Sequence, residues 1–155
     1  MKYYLAYGSN LNKAQMAYRC PDAEPIGTSN LHGWHLVFRR GVLTIEPKKD
    51  SFVPIGIWKI SDMDERSLDR YEGYPRLYYK QNFVFRNNLD HGTDQFGEWS
   101  KDEWHDLMAY IMTDGHPIQS PGKGYMETCL QGYRDFGLNP APLVLAYRES
   151  KGGYA

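Results

Sequence analysis

The alternation of apolar and polar residues divides the chain into short strand-like runs and longer amphipathic stretches. Runs with period-two alternation, or short apolar runs bounded by glycine or proline, are typical of strands. They cover residues 2–6, 26–31, 34–39, 41–45, 53–60, 78–86 and 107–112. The polar stretch 48–51 predicts a turn between two of these strands.

Apolar residues at helical spacing predict helices over residues 11–20, 61–72, 120–136 and 140–147. Ser61 with Asp64 three positions later matches a capping box at the start of the second helix, and Gly73 predicts its end. Ser120 and Asn139 each stand directly before a proline, which is typical of a helix start. The interspersed order of strands and helices predicts an α+β domain with a curved or closed, mostly antiparallel sheet.

We interpret residues 1–150 as one domain and residues 151–155 as a loose tail. The polar segment 87–106 lies between two strand-like runs and predicts a hairpin loop or lid. Either it gates a pocket, or it is a surface excursion. Trp99 and Trp104 favour an ordered segment, packed on the sheet or at a cavity mouth.

Charge and composition restrict the classes of partner. The 18 Lys and Arg residues balance 19 Asp and Glu residues without a block of like charge, so neither a nucleic acid nor a membrane is expected as partner. No run approaches membrane-spanning length. The two cysteines, Cys20 and Cys129, fall on apolar faces of predicted helices, so we expect buried free thiols and a cytoplasmic location. Thirteen tyrosines predict dense aromatic packing or a pocket with hydroxyl-tipped walls.

The sequence Tyr-Gly-Ser-Asn-Leu at residues 7–11 follows the first strand and precedes the first helix. Gly8 tolerates backbone angles that other residues resist, and Ser9 and Asn10 are both good helix N-caps. Backbone N–H groups at such a helix start attract anions. The stretch is therefore either an ordinary capped turn or an anion-binding helix start.

Glu72 is the best single candidate for catalysis. It ends the capped helix, where the negative end of the helix dipole raises the pKa of a carboxyl group. Tyr71, Tyr74 and Tyr78 are close in sequence, and partial desolvation by them raises that pKa further. A glutamate of this kind suits general acid–base chemistry near neutral pH. The alternative is a solvated glutamate paired with a neighbouring arginine.

Other chemistries find less support. The five histidines and two cysteines lack the spacing of a metal site, so no metal is expected. Ser9 does not match the nucleophile elbow of serine hydrolases, because Gly8 precedes it directly and Leu11 stands where the second glycine of that motif would be. The sequence Gly-Lys-Gly at 122–124 lacks the spacing of a phosphate-binding loop, and Tyr125 beside it favours the core over a site.

Taken together, several stretches resemble the γ-glutamylcyclotransferase-like (AIG2-like) family. They are Tyr-Gly-Ser-Asn-Leu at 7–11, the strand 56–60, Tyr-Glu-Gly at 71–73, Tyr78, the strand 109–113, and the segments 120–125 and 137–140. The order and spacing of these stretches cover nearly the whole chain. The segment 87–106 is longer and more polar than is usual in the family.

The resemblance implies a small mixed, mostly antiparallel β-barrel with flanking helices and a cavity at one end. It implies an enzyme that closes the glutamyl unit of a γ-glutamyl amide or amino acid into 5-oxoproline and releases the amine or amino acid. If the segment 87–106 gates the pocket of such an enzyme, we expect it to help to choose the leaving group. Glu72 is then the general acid/base, and no cofactor is needed. The implied substrate-binding residues are Tyr7, Gly8, Ser9, Asn10, Leu11, Tyr78 and Tyr125. The expected partner is a small γ-glutamyl substrate, and the expected state is a monomer or homodimer.

The residues suit this reaction on chemical grounds, because the α-amine of the substrate is its own nucleophile and one carboxylate suffices to move the proton. Two alternatives stay open. One is a related acyltransferase that trims γ-glutamyl groups from biosynthetic intermediates. The other is a non-catalytic module that binds a small acidic metabolite.

Overall fold

The computed structural model describes residues 1–86, 99 and 102–152. The five strands are Lys2–Ala6 (β1), Glu24–Arg39 (β2), Val42–Ile60 (β3), Tyr78–Arg86 (β4) and Trp104–Met112 (β5). The four helices are Lys13–Arg19 (α1), Asp62–Glu72 (α2), Lys123–Asp135 (α3) and Ala141–Ser150 (α4). A 3-10 turn, Ser9–Leu11, joins β1 to α1.

The strands form one sheet in the order β2-β3-β1-β5-β4. β1 pairs antiparallel with β3 and parallel with β5, and the other two pairings are antiparallel. The predicted α+β class with a mixed, mostly antiparallel sheet is therefore confirmed. Within the described part of the chain the sheet is not closed, since β2 and β4 are its two edges. The term barrel thus applies only loosely.

A long hairpin of β2 and β3 replaces four of the predicted strands. The chain reverses at Arg40 and Gly41, which both have positive φ, of 54° and 78°. Such angles are typical of the tight turns that match the twist of a hairpin. The predicted turn at 48–51 is wrong, because the chain does not reverse there. Pro47 pairs with Trp34 and Phe52 pairs with His32, so β2 and β3 remain paired on both sides of the four residues. The four polar residues instead bulge out of a continuous strand.

The helix starts agree with the sequence only in part. Ser61 and Asp64 form the predicted capping box of α2, and Gly73 ends that helix with φ 64°. The cap of α1 is Asn12, whose side chain accepts from the amide of Gln15, and not Ser9 or Asn10. α3 starts after Gly122 instead of Ser120, because the Ser120 hydroxyl bonds to that of Ser150 at 2.9 Å.

The core lies on both faces of the central strand β1 and against α1, α3 and α4. Cys20 and Cys129 are buried free thiols, as predicted. No helix in the described ranges has the length and apolar character needed to cross a bilayer.

Most of the segment 87–106 lies outside the described residues, so its gating role stays a prediction. Trp99 is buried and stacks on His105 with ring centroids 3.7 Å apart. It also packs edge-on against Tyr3, at 4.9 Å. Side chains alternate along a strand, so Tyr3 and its neighbour Tyr4 face opposite sides of the sheet. Trp99 therefore packs on the face opposite to that of Tyr4. Trp104, by contrast, is mostly exposed.

Candidate active site

A cavity of about 250 Å³ opens beyond the carboxyl end of β1. Its walls come from β1 and the following turn, the start of β3, the end of α2, β4, β5 and α3. The lining residues are Tyr4, Tyr7, Gly8, Ser9, Asn10, Val42, Leu43, Tyr71, Glu72, Leu77, Tyr78, Tyr110 and Tyr125. Six of these are tyrosines, so part of the high tyrosine content of the sequence forms the wall of a pocket.

The turn at 7–11 is fixed from behind by two buried hydrogen bonds. The indole N–H of Trp58 donates to the carbonyl of Asn10 at 2.9 Å, and the Tyr133 hydroxyl donates to the carbonyl of Tyr7 at 3.1 Å. The amide of Leu11 donates back to the carbonyl of Gly8, at 3.0 Å. The first N–H groups of a helical turn have no acceptor within that turn. The amides of Ser9 and Asn10 occupy those positions at the cavity wall.

Gly8 provides space in this wall. Its φ is −133° and its ψ is −127°, so the backbone here is not left-handed, and the contribution of glycine that the structure shows is the absence of a side chain. A Cβ at this position would lie 3.2 Å from Cδ1 of Leu43 and 3.5 Å from the hydroxyl of Tyr125. The missing side chain therefore keeps the cavity open beside the turn.

Glu72 reaches the cavity from the last residue of α2, and its side chain is half-buried. Asn10 donates from Nδ2 to Oε1 of Glu72 at 3.1 Å. Burial raises the pKa of Glu72 to about 7, while Arg19 and the Asn10 hydrogen bond act in the opposite direction. A carboxyl group with this pKa is both a competent base and a competent acid near neutral pH.

Hydrogen bonds hold the tyrosine walls in place. The hydroxyl of Tyr78 donates to the carbonyl of Leu43 at 2.6 Å, and the amide of Leu43 donates to the hydroxyl of Tyr125 at 3.1 Å. The hydroxyl of Tyr7 donates to the carbonyl of Tyr110 at 2.6 Å. Burial raises the pKa of Tyr7, Tyr78 and Tyr125 well above the usual value, so these phenols stay neutral.

The structure brings together seven of the eight residues named from the sequence. Leu11 is the exception, because its side chain is fully buried in the core and its amide is bonded to Gly8. Tyr74, expected to help desolvate Glu72, is 40% exposed and instead packs against Tyr110 and under Lys80.

Sequence reasoning missed Tyr4, Tyr110 and Arg19. Tyr4 and Tyr110 lie on central strands and face the cavity, packed edge-on with centroids 5.8 Å apart. Strand alternation selects one face for such residues but does not say that the face borders a pocket. Arg19 lies behind the lining, where it donates to Asn10 at 2.6 Å. Across the described residues, no group of three or more His, Cys, Asp or Glu side chains is placed to hold a metal ion.

Comparison with known proteins identifies the family. The family model described as "Gamma-glutamyl cyclotransferase, AIG2-like" matches residues 4–133. A solved structure titled "Gamma-glutamyl cyclotransferase" superposes with a TM-score of 0.70 at 22% identity, covering 97% of this chain and 86% of that one. A protein from Homo sapiens described as uncharacterized gives a TM-score of 0.71 at 22% identity, with the same coverage.

A further similar structure is YkqA from Bacillus subtilis, with a TM-score of 0.68 at 18% identity, covering 97% of this chain and 54% of that one. Among proteins of curated function, none matches the chain in sequence. The structural likeness concerns the fold, and the family model spans most of the chain. The chain therefore belongs to the γ-glutamyl cyclotransferase, AIG2-like family.

Proposed function

We propose that the protein cyclises a γ-glutamyl amide to 5-oxoproline and releases the amine or amino acid, with Glu72 as general acid/base. The observation that carries this proposal is a single carboxyl group with a pKa raised to about 7, inside a cavity walled by neutral tyrosines. A γ-glutamyl amide contains both the nucleophile and the carbonyl that it attacks. The protein then has to supply a shape, a proton acceptor and hydrogen-bond donors.

The proton transfers follow from this arrangement. The Glu72 carboxylate takes a proton from the α-ammonium group, and the freed lone pair attacks the γ-carbonyl carbon. As the new C–N bond forms and the amide C–N bond breaks, the Glu72 carboxylic acid gives its proton to the departing nitrogen. The nitrogen that enters the ring still carries one proton too many at this point, and the Glu72 carboxylate takes this second proton and passes it to the released amine. In total, the ring nitrogen loses two protons, the departing nitrogen gains two, and Glu72 ends as the carboxylate.

The cavity walls support the rest of the reaction. A cavity of about 250 Å³ favours a folded glutamyl chain, in which the amine approaches the γ-carbonyl. Intramolecular attack from such a near-attack conformation lowers the barrier substantially. The amides of Ser9 and Asn10 are suited to bind the α-carboxylate or the oxyanion that develops on the γ-carbonyl oxygen.

The experiment that tests this function is incubation with a panel of γ-glutamyl amino acids, γ-glutamyl amines and glutathione, followed by assay for 5-oxoproline. We expect 5-oxoproline and free amine in equal amounts from at least one compound. Release of free glutamate would instead indicate hydrolysis, and transfer of the glutamyl group to an added amine would indicate an acyltransferase. Binding of these compounds without turnover would indicate a binding module.

Replacing Gly8 with valine is expected to raise KM by about tenfold or more in the folded variant. The two added methyl groups enter the cavity between Leu43 and Tyr125, and they cover the adjacent amides of the turn. Steady-state kinetics of 5-oxoproline formation measure the change. Gly122→Val is the matched control, because a Cβ at Gly122 meets open space. An unchanged KM in Gly8→Val would place the substrate away from this turn.

A further inference from the structure

Arg19 lies at the C-terminal end of α1 and is held in one orientation from three sides. Its guanidinium stacks on the ring of Tyr71, with Cζ 3.5 Å from the ring centroid. One nitrogen donates to Oδ1 of Asn10 at 2.6 Å, and the other donates to Oε1 of Gln15 at 3.1 Å. A planar guanidinium with a fork of donors fits this arrangement, whereas an ammonium group cannot both stack and fork.

This contact decides which way the Asn10 side chain faces. Arginine only donates hydrogen bonds, so the Asn10 atom in contact with it has to be the oxygen. The NH₂ group of Asn10 therefore faces the cavity side. Its nitrogen, Nδ2, donates one hydrogen bond to Oε1 of Glu72 at 3.1 Å and another to the hydroxyl oxygen of Tyr4 at 2.9 Å. A flipped amide would instead turn its oxygen toward the Glu72 carboxylate, and the two acceptors would repel each other.

We propose that Arg19 is a positioning residue. Arg19 orients the amide of Asn10, which then donates to one oxygen of the Glu72 carboxylate and leaves the other, Oε2, for the amine of the substrate. This inference rests on the proposed function for the role of Oε2. The relay Arg19–Asn10–Glu72 connects α1 and the adjacent 3-10 turn to the end of α2, which lies 62 residues beyond Asn10.

The charges around Glu72 give Arg19 a second effect. Tyr71 and Tyr110 line the cavity together with Glu72. The groups that interact electrostatically with Glu72 are Arg19 of α1 and four phenols, which are Tyr4 of β1, Tyr7 before the turn, Tyr78 of β4 and Tyr125 of α3. Burial raises the pKa of all four of these phenols, so they stay neutral through the working range. Arg19 is thus the one cation among these neighbours, and it favours the carboxylate form.

The test is a ¹³C NMR titration of the Glu72 side-chain carboxyl in the folded protein, with the signal assigned by its absence in Glu72→Gln. Replacing Arg19 with methionine should raise the pKa of Glu72 by about one unit, because both the cation and the oriented amide are lost. Arg19→Lys should give an intermediate rise, since lysine keeps the charge but cannot hold the fork. Arg134→Met is the matched control, because exposed Arg134 makes the same kind of helical contact with Gln131.

A Glu72 pKa that stays at the wild-type value in Arg19→Lys would overturn the proposal, even with a raised pKa in Arg19→Met, because the charge alone would then account for the effect of Arg19. If Arg19→Met fails to fold, the titration of Arg19→Lys decides alone. In kinetics, kcat of Arg19→Met at pH 7 should fall by about fivefold and recover at higher pH, as expected for a base whose pKa has risen by about one unit. The NMR titration needs no turnover. A wild-type protein that makes no 5-oxoproline would therefore reject the proposed function without deciding whether Arg19 orients the carboxyl group.

Discussion

Replacing Glu72 with glutamine is expected to lower the turnover of γ-glutamyl substrates by about 100-fold or more, with KM changed little. Glutamine keeps the size of the side chain and can still bond to Asn10, but it neither accepts the amine proton nor returns it. General acid–base catalysis contributes about 10²–10⁴ to rates, which sets this scale. Among the described residues that line the cavity, Glu72 is the one with a carboxyl group, so no other carboxyl group in the wall can replace it. Its pKa of about 7 suits both halves of the proton transfer.

Glu127→Gln is the matched control for this experiment. Glu127 is exposed on α3, and its contact there is a long one to Lys123, at 3.9 Å. Its replacement should leave turnover within twofold of wild type, on the scale expected for a surface substitution. Near-normal turnover in a folded Glu72→Gln protein would reject Glu72 as the acid/base and would require another proton carrier.

Replacing Gly132 with alanine is expected to destabilise the protein by about 2–3 kcal/mol, because the site packs directly on the backbone of the turn. A Cβ at Gly132 would lie 2.7 Å from the backbone atoms N of Asn12 and C of Leu11. Backbone atoms cannot rotate away as a side chain can, so α3 and the turn have to separate. For a domain of this size, the loss corresponds to a fall in Tm of roughly 5–10 °C.

Gly124→Ala, in the same helix, is the control. A Cβ there meets nothing within 4 Å, and alanine is the better helix former by about 1 kcal/mol. Thermal unfolding of the two variants should therefore move Tm in opposite directions. Equal Tm values for Gly132→Ala and wild type would mean that α3 does not pack tightly on the turn. The account of how the amides of the turn are held in place would then be wrong.

Local signals in the sequence were sufficient to predict that Glu72 ends a helix. The capping box fixes the start of α2, and Gly73 with φ 64° fixes its end, so both bounds are readable from a short stretch. Glu72 is the last residue of this helix. Its contact with Asn10, 62 residues away, is a tertiary contact that only the family resemblance indicated.

Tertiary contacts also explain where the local reading was wrong. Three possible caps, Ser9, Asn10 and Asn12, stand close together before α1. Asn10 is occupied by Glu72 and Arg19, and the hydroxyl of Ser9 bonds to that of Tyr71 at 3.0 Å. Asn12 is left to cap the helix.

The long hairpin escaped prediction for a related reason. Gly33 and the polar residues 48–51 are typical of turns when they are read alone. The paired strands on either side continue past them because the register on both sides buries apolar residues against the core. Arg19 gave no signal of its own, since an arginine in the last turn of a helix is common at a helix C-terminus.

The pH dependence of kcat/KM for 5-oxoproline formation tests the central claim most directly. The free enzyme has to carry Glu72 as the carboxylate, so kcat/KM should rise with pH through an apparent pKa near 7 and fall away below it. In Glu72→Gln, the residual activity should lack this limb. A wild-type profile without an acid limb near pH 7, or a Glu72→Gln profile that keeps it, would contradict the assignment of Glu72 as the base.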